Sequence, residues 1–337
     1  TLSLISCSND PIFAAIEKEV ELADPSIEGT VSSLVVTGTD VYTANGRIYY
    51  RSNGIGGWHK ISIPSGASRC GMLASDGTNL YGLFTESDWT DFHSVQMYTG
   101  AGWTPVTGLS DVKQIGSGNN LIFAFTEASS DRYNVYTTTG AGTTTFGAAI
   151  ATNMTLPVGT AGNYFATRTG IYNSAGTLLS GGSTPNTELA GIAIGNNGDV
   201  YTANYDYAYR YSGGTWTSIA IDLDNDPATG VAVLQTASKN LLLISCGEGY
   251  GEISLNATTG ALGTYFSPAD NSLSSTHPDD EDQYDSSIGN YNLYGIYAVT
   301  GPVPAGDEYV IYVAVQHYKY NGLWSYYDKS RTEWNRE

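Results

Sequence analysis

The side chains of this chain that could do chemistry fall into a few sparse sets. Asp222, Asp224 and Asp226 alternate as in the first half of a calcium loop, where oxygen ligands at positions one, three and five converge on a hard cation. Pro227 stands where such a loop needs glycine, and Val233 where it needs a bidentate glutamate. The run therefore reads first as a solvated acidic turn and second as a calcium site. Arg47, Arg168 and Arg210 lie in three separate strand-like segments among plentiful tyrosines and acids, the residue types that carboxylate-binding glycan enzymes assemble, but their spacing singles out no set. His59, His93, His277 and His317 show no paired metal motif, and no Gly-x-Ser-x-Gly elbow marks a serine nucleophile. The expectation is a chain with no catalytic residues and no cofactor other than calcium at the aspartate run.

Two further sets bear on binding. Tyr205, Tyr207, Tyr209 and Tyr211 alternate, so one face of a strand would present several rings, a surface suited to sugars or peptides as well as to a sheet interior. Asp279, Asp280, Glu281, Asp282 and Asp285 form the densest charge in the chain, inside a polar stretch, 267–290, that reads as an inserted loop able to collect calcium or meet a basic partner. Lys and Arg total 14 against 33 Asp and Glu, a formal charge of -19, so the surface repels phosphate backbones and nucleic acid is not an expected partner.

What must position these groups is a repeat. Four of the six tryptophans recur in one phrase, as Gly57-Trp58, Gly102-Trp103, Gly214-Thr215-Trp216 and Gly322-Leu323-Trp324. Each follows a tyrosine-rich stretch, and the segments between glycine, asparagine and aspartate turns are short and β-forming. Self-similarity at about 40 residues predicts stacked four-stranded blades. The count is seven, with a degenerate last strand near Phe146 in the third unit, Leu178-Leu179 at the tryptophan position of the fourth, and Gln316–Tyr320 and Trp324–Tyr327 as the last two strands of the seventh. The fold class is all-β, a seven-bladed β-propeller over residues 30–337. Its tryptophans are assigned to the seams between blades, where they cover sheet edges. Pro11, with apolar Ile12, Phe13, Ile16 and Val20 at helical spacing, predicts a helix over 11–23. Cys70 and Cys246, in the second and sixth units, are expected to be buried free thiols.

Leu4-Ile5-Ser6-Cys7, followed by polar Ser8-Asn9-Asp10, resembles the lipobox of bacterial lipoproteins. That resemblance implies that residues 1–6 end a signal segment and that Cys7 carries the lipid, so 7–29 would form the lipidated N-terminus with the helix. Tyr209-Arg210-Tyr211 and Ser212-Gly213-Gly214-Thr215-Trp216 resemble the repeat ends of kelch-type and sialidase-type propellers, without the aspartate of the sialidase repeat box. The expected function is an extracytoplasmic, non-catalytic scaffold in the bacterial cell envelope, held to the membrane only through the lipid on Cys7 and binding a protein or a glycan. The alternative is a sialidase-like glycoside hydrolase, which would gather arginines, acids and a tyrosine at one channel mouth.

Overall fold

The computed structural model of the chain describes residues 27–85, 92–223, 226–268, 288, 291–317 and 320–337. The predicted helix over 11–23 and Cys7 lie outside them. Seven antiparallel sheets follow one another along the chain, each a meander in sequence order. Blade 1 comprises Ser33–Thr37, Asp40–Ala44, Ile48–Ser52 and His59–Ile61, and blade 2 Arg69–Ser75, Leu80–Thr85, Phe92–Tyr98 and Trp103–Pro105. Blade 3 comprises Val112–Ser117, Ile122–Ser129, Arg132–Thr138 and Phe146–Met154, and blade 4 Pro157–Ala161, Tyr164–Thr167 and Gly170–Asn173. Blade 5 comprises Ala193–Ile194, Val200–Ala203, Tyr207–Ser212 and Thr215–Ala220, and blade 6 Gly230–Gln235, Asn240–Cys246, Gly249–Leu255 and Leu262–Phe266. Blade 7 comprises Asn292–Val299, Val310–Gln316, Gly322–Tyr327 and Asn335–Arg336.

The blades stack because their middle strands are apolar on both sides. Successive side chains of a strand point to opposite faces. In blade 6, Leu241 and Leu243 therefore pack toward blade 7 with Ile296, Ile311 and Val313, while Leu242 and Ile244 pack toward blade 5 with Tyr201 and Ala203. Val310, Tyr312 and Ala314 of blade 7 likewise meet blade 1 through Val41 and Tyr49. Each such buried side chain contributes about 1.5–3 kcal/mol. Tight turns join the strands. Gly213 and Gly214, at φ 57° and 85°, form the two-residue link between paired Ser212 and Thr215, a conformation for which glycine lacks the Cβ penalty.

The third and fourth units depart from expectation in opposite ways. The last strand of blade 3 runs nine residues, irregularly paired, with Phe146 buried at its start in the place of a tryptophan. Blade 4 has three strands, and its outer edge is reduced to a bridge between Tyr172 and Leu178. In blade 7 the expected strand order is corrected. Trp324 lies on the third strand, and the fourth is Asn335–Arg336, preceded by buried Trp334. Gly322-Leu323-Trp324 copies the local phrase of the other blades without its position, because the two-residue outer strand carries no periodic signal of its own.

The ring closes at the seam between blades 7 and 1. The N–H of Ile27 donates to the Glu337 carbonyl at 3.1 Å, and Glu28 bridges Gly322, so residues from both ends of the chain complete the outer edge of blade 7. Behind this edge the Glu337 carboxylate, 3% exposed, pairs with Arg51 of blade 1 and with Arg331, and accepts from the Trp58 indole at 2.8 Å and the Tyr327 hydroxyl at 3.2 Å. The Arg51 guanidinium lies 4.5 Å over the Trp58 ring. Burial opposes ionisation of Glu337, but the charge and hydrogen bond of Arg51, then Arg331 and the Ser325 hydroxyl, outweigh it and hold the carboxyl below its ordinary range.

Candidate functional site

The first strands of six blades, with residues 190–192 just before the first strand of blade 5, surround a central channel of about 630 Å³. Its wall is neutral, made of serine, threonine, glycine and aliphatic side chains with Gln114, Tyr294 and Tyr297. Glycines recur along it at Gly116, Gly159, Gly191, Gly230 and Gly295, one for each of blades 3 to 7. A Cβ on Gly159 would come 3.5 Å from the Gly191 Cα, and one on Gly230 3.4 Å from the Gly295 Cα, so these glycines let the innermost strands approach closely. Small hydroxyls tie neighbouring strands across the same wall, as where Ser33 Oγ accepts from Leu73 N and Ser117 Oγ from Ser75 N, both at 2.9 Å.

In a meander blade the first and third turns lie on one face of the ring, here the lower, and the second turns and the inter-blade linkers lie on the upper. At the upper mouth the channel adjoins a recess of about 480 Å³ with which it shares Val158, Ala190 and Thr229. Arg168 from the second turn of blade 4, Glu188 from the linker before blade 5, and Tyr205 from the second turn of blade 5 line this recess. Arg168 and Glu188 face each other at 3.4 Å with side chains 51% and 72% exposed, and Tyr205 is 41% exposed. Among the described residues, six other than glycine adopt positive φ. Five are asparagine or aspartate, which tolerate that region; the sixth is Glu188, at φ 48°. Backbone strain of this kind clusters at binding and catalytic sites.

The sequence-predicted residues divide accordingly. Arg168 is at the mouth, in a turn and not on a strand. Arg47 is also in a turn and exposed. Arg210 is on a strand, where it pairs with Asp199 at 2.6 Å and donates to the Thr259 carbonyl of blade 6, a contact between blades. The three arginines therefore do not converge. Asp222 and Asp226 lie in the linker between blades 5 and 6, Asp224 lies outside the described residues, and no cluster of three potential metal ligands forms among the described residues. The acidic run 279–285 and His277 also lie outside them, while the rings of His59 and His317 lie tilted against Tyr50 and Tyr291 at opposite ends of the repeat. Cys70 and Cys246 are fully buried thiols outside any disulfide, as expected. Burial pushes the Cys70 thiol up, which leaves it protonated and unreactive.

The tryptophan assignment holds at three seams. The indole N–H of Trp58 reaches Glu337 of blade 7, that of Trp103 donates to the Ser62 carbonyl beyond blade 1 at 2.8 Å, and that of Trp216 donates to the Leu179 carbonyl beyond blade 4 at 2.9 Å. A second seam element went unread. An aspartate or asparagine precedes a tyrosine by two residues at Asp40/Tyr42, Asn79/Tyr81, Asp199/Tyr201 and Asp307/Tyr309, a recurrence that could have exposed it. In blade 2 the Asp76 carboxylate accepts from Asn79 N and from Gly142 N of blade 3, both at 2.7 Å. Burial opposes its charge, and these backbone donors prevail, holding the carboxyl below its usual range. In blade 5 the Tyr201 hydroxyl, kept protonated by burial and by Asp199 with its pKa raised to about 12, donates to the Gly260 carbonyl of blade 6 at 2.7 Å.

Solved structures share this architecture. The chain is similar to an ancestral GH74 enzyme, with TM-score 0.61 and 15% identity over 93% of this chain and 47% of that one, so it spans about half the enzyme's length. It is also similar to AztD of Citrobacter koseri, with TM-score 0.52 and 12% identity over 90% of this chain and 84% of that one. At such identities the likeness concerns the fold alone. Among curated proteins, a lipoprotein of Treponema pallidum (strain Nichols) is 25% identical over all of this chain and 94% of its own length, and a second from the same organism is 26% identical over 99% and 96%. Matched over residues 1–176 and 193–337, the chain belongs to the TP013X lipoprotein family, in which it is a lipoprotein with a β-propeller domain.

Proposed function

We propose that the chain is an extracytoplasmic binding scaffold of the bacterial cell envelope, held at the membrane through a lipid on Cys7, whose ligand is a protein or a glycan. The upper mouth is where it binds. One observation carries this reading: a neutral channel opens into a recess where Arg168, strained Glu188 and half-exposed Tyr205 stand together without enclosing one another. An ion pair exposed on this scale contributes little to stability, about 0–1 kcal/mol, so its placement in a concavity suits recognition better than folding. An arginine, an acid and a tyrosine do meet here, as the hydrolase alternative requires. Glycoside hydrolysis ordinarily divides its work between two carboxylates, and this recess presents Glu188.

A printed glycan array, an array of envelope and host-surface proteins, and a set of chromogenic glycosides applied to the full chain test the reading. Binding that falls at least tenfold in Arg168→Ala and Tyr205→Ala, with no glycoside turned over, supports it. Turnover that disappears in Glu188→Gln replaces the scaffold with an enzyme. The anchor has its own test: mass spectrometry of the protein from native membranes should find acylated Cys7 at the mature N-terminus, and an unmodified cysteine contradicts it.

A further inference from the structure

The seam between blades 1 and 2 holds a second cavity, of about 830 Å³, away from the channel on the outer rim. Its walls are ring faces. Tyr42 and Tyr50 of blade 1 stack at 6.0 Å between centroids and 25° between planes, and Tyr98 and Trp103 of blade 2 lie opposite at 5.1 Å from one another. The seam tryptophans differ in what covers them. Trp216 is 1% exposed and Trp334 2%, whereas Trp58 and Trp103 are both partly buried; Trp58 is covered by Arg51 and Glu337, and at Trp103 the space the ring leaves unfilled is the cleft. The indole is nonetheless fixed, edge-on to Phe84 at 4.8 Å and over Gly82, where a Cβ would come 3.2 Å from the ring.

We infer that this cleft is a saccharide-binding site, distinct from the channel mouth and independent of whether the mouth binds a ligand. The argument rests on which groups are spent and which are offered. The polar tips of three rings are already committed inside the protein: the Trp103 N–H to the Ser62 carbonyl at 2.8 Å, the Tyr98 hydroxyl to the Gly100 carbonyl at 3.1 Å, and the Tyr42 hydroxyl to Asp40 at 3.4 Å. Proline-rich peptides also dock aromatic-lined grooves, but here the indole N–H that would meet a peptide carbonyl is already spent on Ser62. What remains here is π surface, which suits the C–H face of a pyranose, bordered by neutral groups that both donate and accept: the hydroxyls of Ser62 and Ser65, and the Gln96 amide, one of whose N–H groups donates to Ser94 Oγ at 3.1 Å. The one charged residue on the wall, Lys60, directs its ammonium to the ring of Tyr49, a member of the cluster shared with blade 7. Lys60 apart, the lining is uncharged in an acidic protein, and the ligand class is an uncharged oligosaccharide. Rings held in place before binding cost little ordering entropy.

The test is titration of the full chain with neutral tetrasaccharides built from glucose, galactose and N-acetylglucosamine, followed by tryptophan emission and calorimetry. The expected result is saturable binding to one of them with a shift in emission. That binding weakens at least tenfold in Tyr50→Ala and, separately, in Gln96→Ala, each checked for an unchanged circular dichroism spectrum. Gln96 is a partly buried rim side chain whose truncation leaves the aromatic packing in place, so the test survives a misfolded Tyr50 variant. Failure of every tetrasaccharide to bind overturns the inference, as does binding that ignores both substitutions. Binding that falls instead with Tyr205→Ala places the sugar at the mouth and overturns the rim site. Tyr50-dependent binding of a proline-rich decapeptide in place of the sugars overturns the ligand class.

Discussion

Two seams flank blade 1, and they are built in opposite ways. Toward blade 7, Trp58 lies beneath Arg51 and against Glu337 in a buried network of charge and hydroxyl groups. Toward blade 2, Trp103 meets tyrosine faces across a cleft of about 830 Å³. Both use a tryptophan from an outer strand. The first seam must join the first blade to the last, so it needs contacts that are specific in register, which a buried ion pair with several donors around its carboxylate supplies. The second joins blades already connected by the segment 62–68 and can remain open. Where covalent continuity has already set its geometry, a propeller seam can be left open, although the filled seams at Trp216 and Trp334 show that it need not be.

The comparison breaks most directly at Glu337. Glu337→Gln leaves Arg51 buried against a neutral partner, and the expected loss is about 3–5 kcal/mol in urea unfolding. Trp216→Ala, at a filled seam, is expected to cost a similar ~3–5 kcal/mol, and Trp103→Ala at the open seam clearly less, because its ring is already partly hydrated; equal losses would mean that the two seams are packed alike. Backbone geometry gives a smaller contrast. A Cβ on Gly54 would overlap the Pro302 carbonyl oxygen of blade 7, whereas Gly56, two residues further on, has open space around it. Gly54→Ala is expected to destabilise by roughly 1–3 kcal/mol and Gly56→Ala by about 1 kcal/mol, from its positive φ alone.

The acid limb of the stability curve sharpens the same contrast. Glu337, Asp76 and Asp307 all have carboxyls held below their ordinary range. A depressed folded-state value contributes stability that is present above the unfolded value, near about 4, and is lost as pH falls through the folded one. Unfolding followed from neutral pH into acid should therefore show stability declining below about pH 4, with a shallower decline in Glu337→Gln. An unchanged slope in that variant would mean that the Arg51–Glu337 pair, the clasp between blades 7 and 1, does not hold this seam.

The sequence made much of the ring legible, and the reasons for the rest are physical. Gly213-Gly214 and Asn45-Gly46 mark turns through their own backbone preferences, and the continuous apolar run Leu241-Leu242-Leu243-Ile244 marks a strand buried on both faces. Asn335–Arg336 escaped because two residues cannot show a period, and Trp324 then took a place that Trp334 shares with the other outer strands. The clasp escaped because Arg51 and Glu337 are 286 residues apart and meet only when the ring closes. The mouth escaped for a related reason. Arg168, Glu188 and Tyr205 come from two turns and a linker, where no periodicity constrains residue choice, and only blade order brings them together.

The central claim is that one seam of blade 1 holds the ring and the other binds. It is tested most directly by the melting temperature of the wild-type chain, Glu337→Gln and Tyr50→Ala, each measured with and without the bound tetrasaccharide. A ligand that binds only the folded state raises that temperature according to its affinity. The account predicts that Glu337→Gln melts lower yet keeps the ligand-induced rise, and that Tyr50→Ala melts near wild type and loses it. A Tyr50→Ala chain that melts as low as Glu337→Gln while keeping the rise would contradict it.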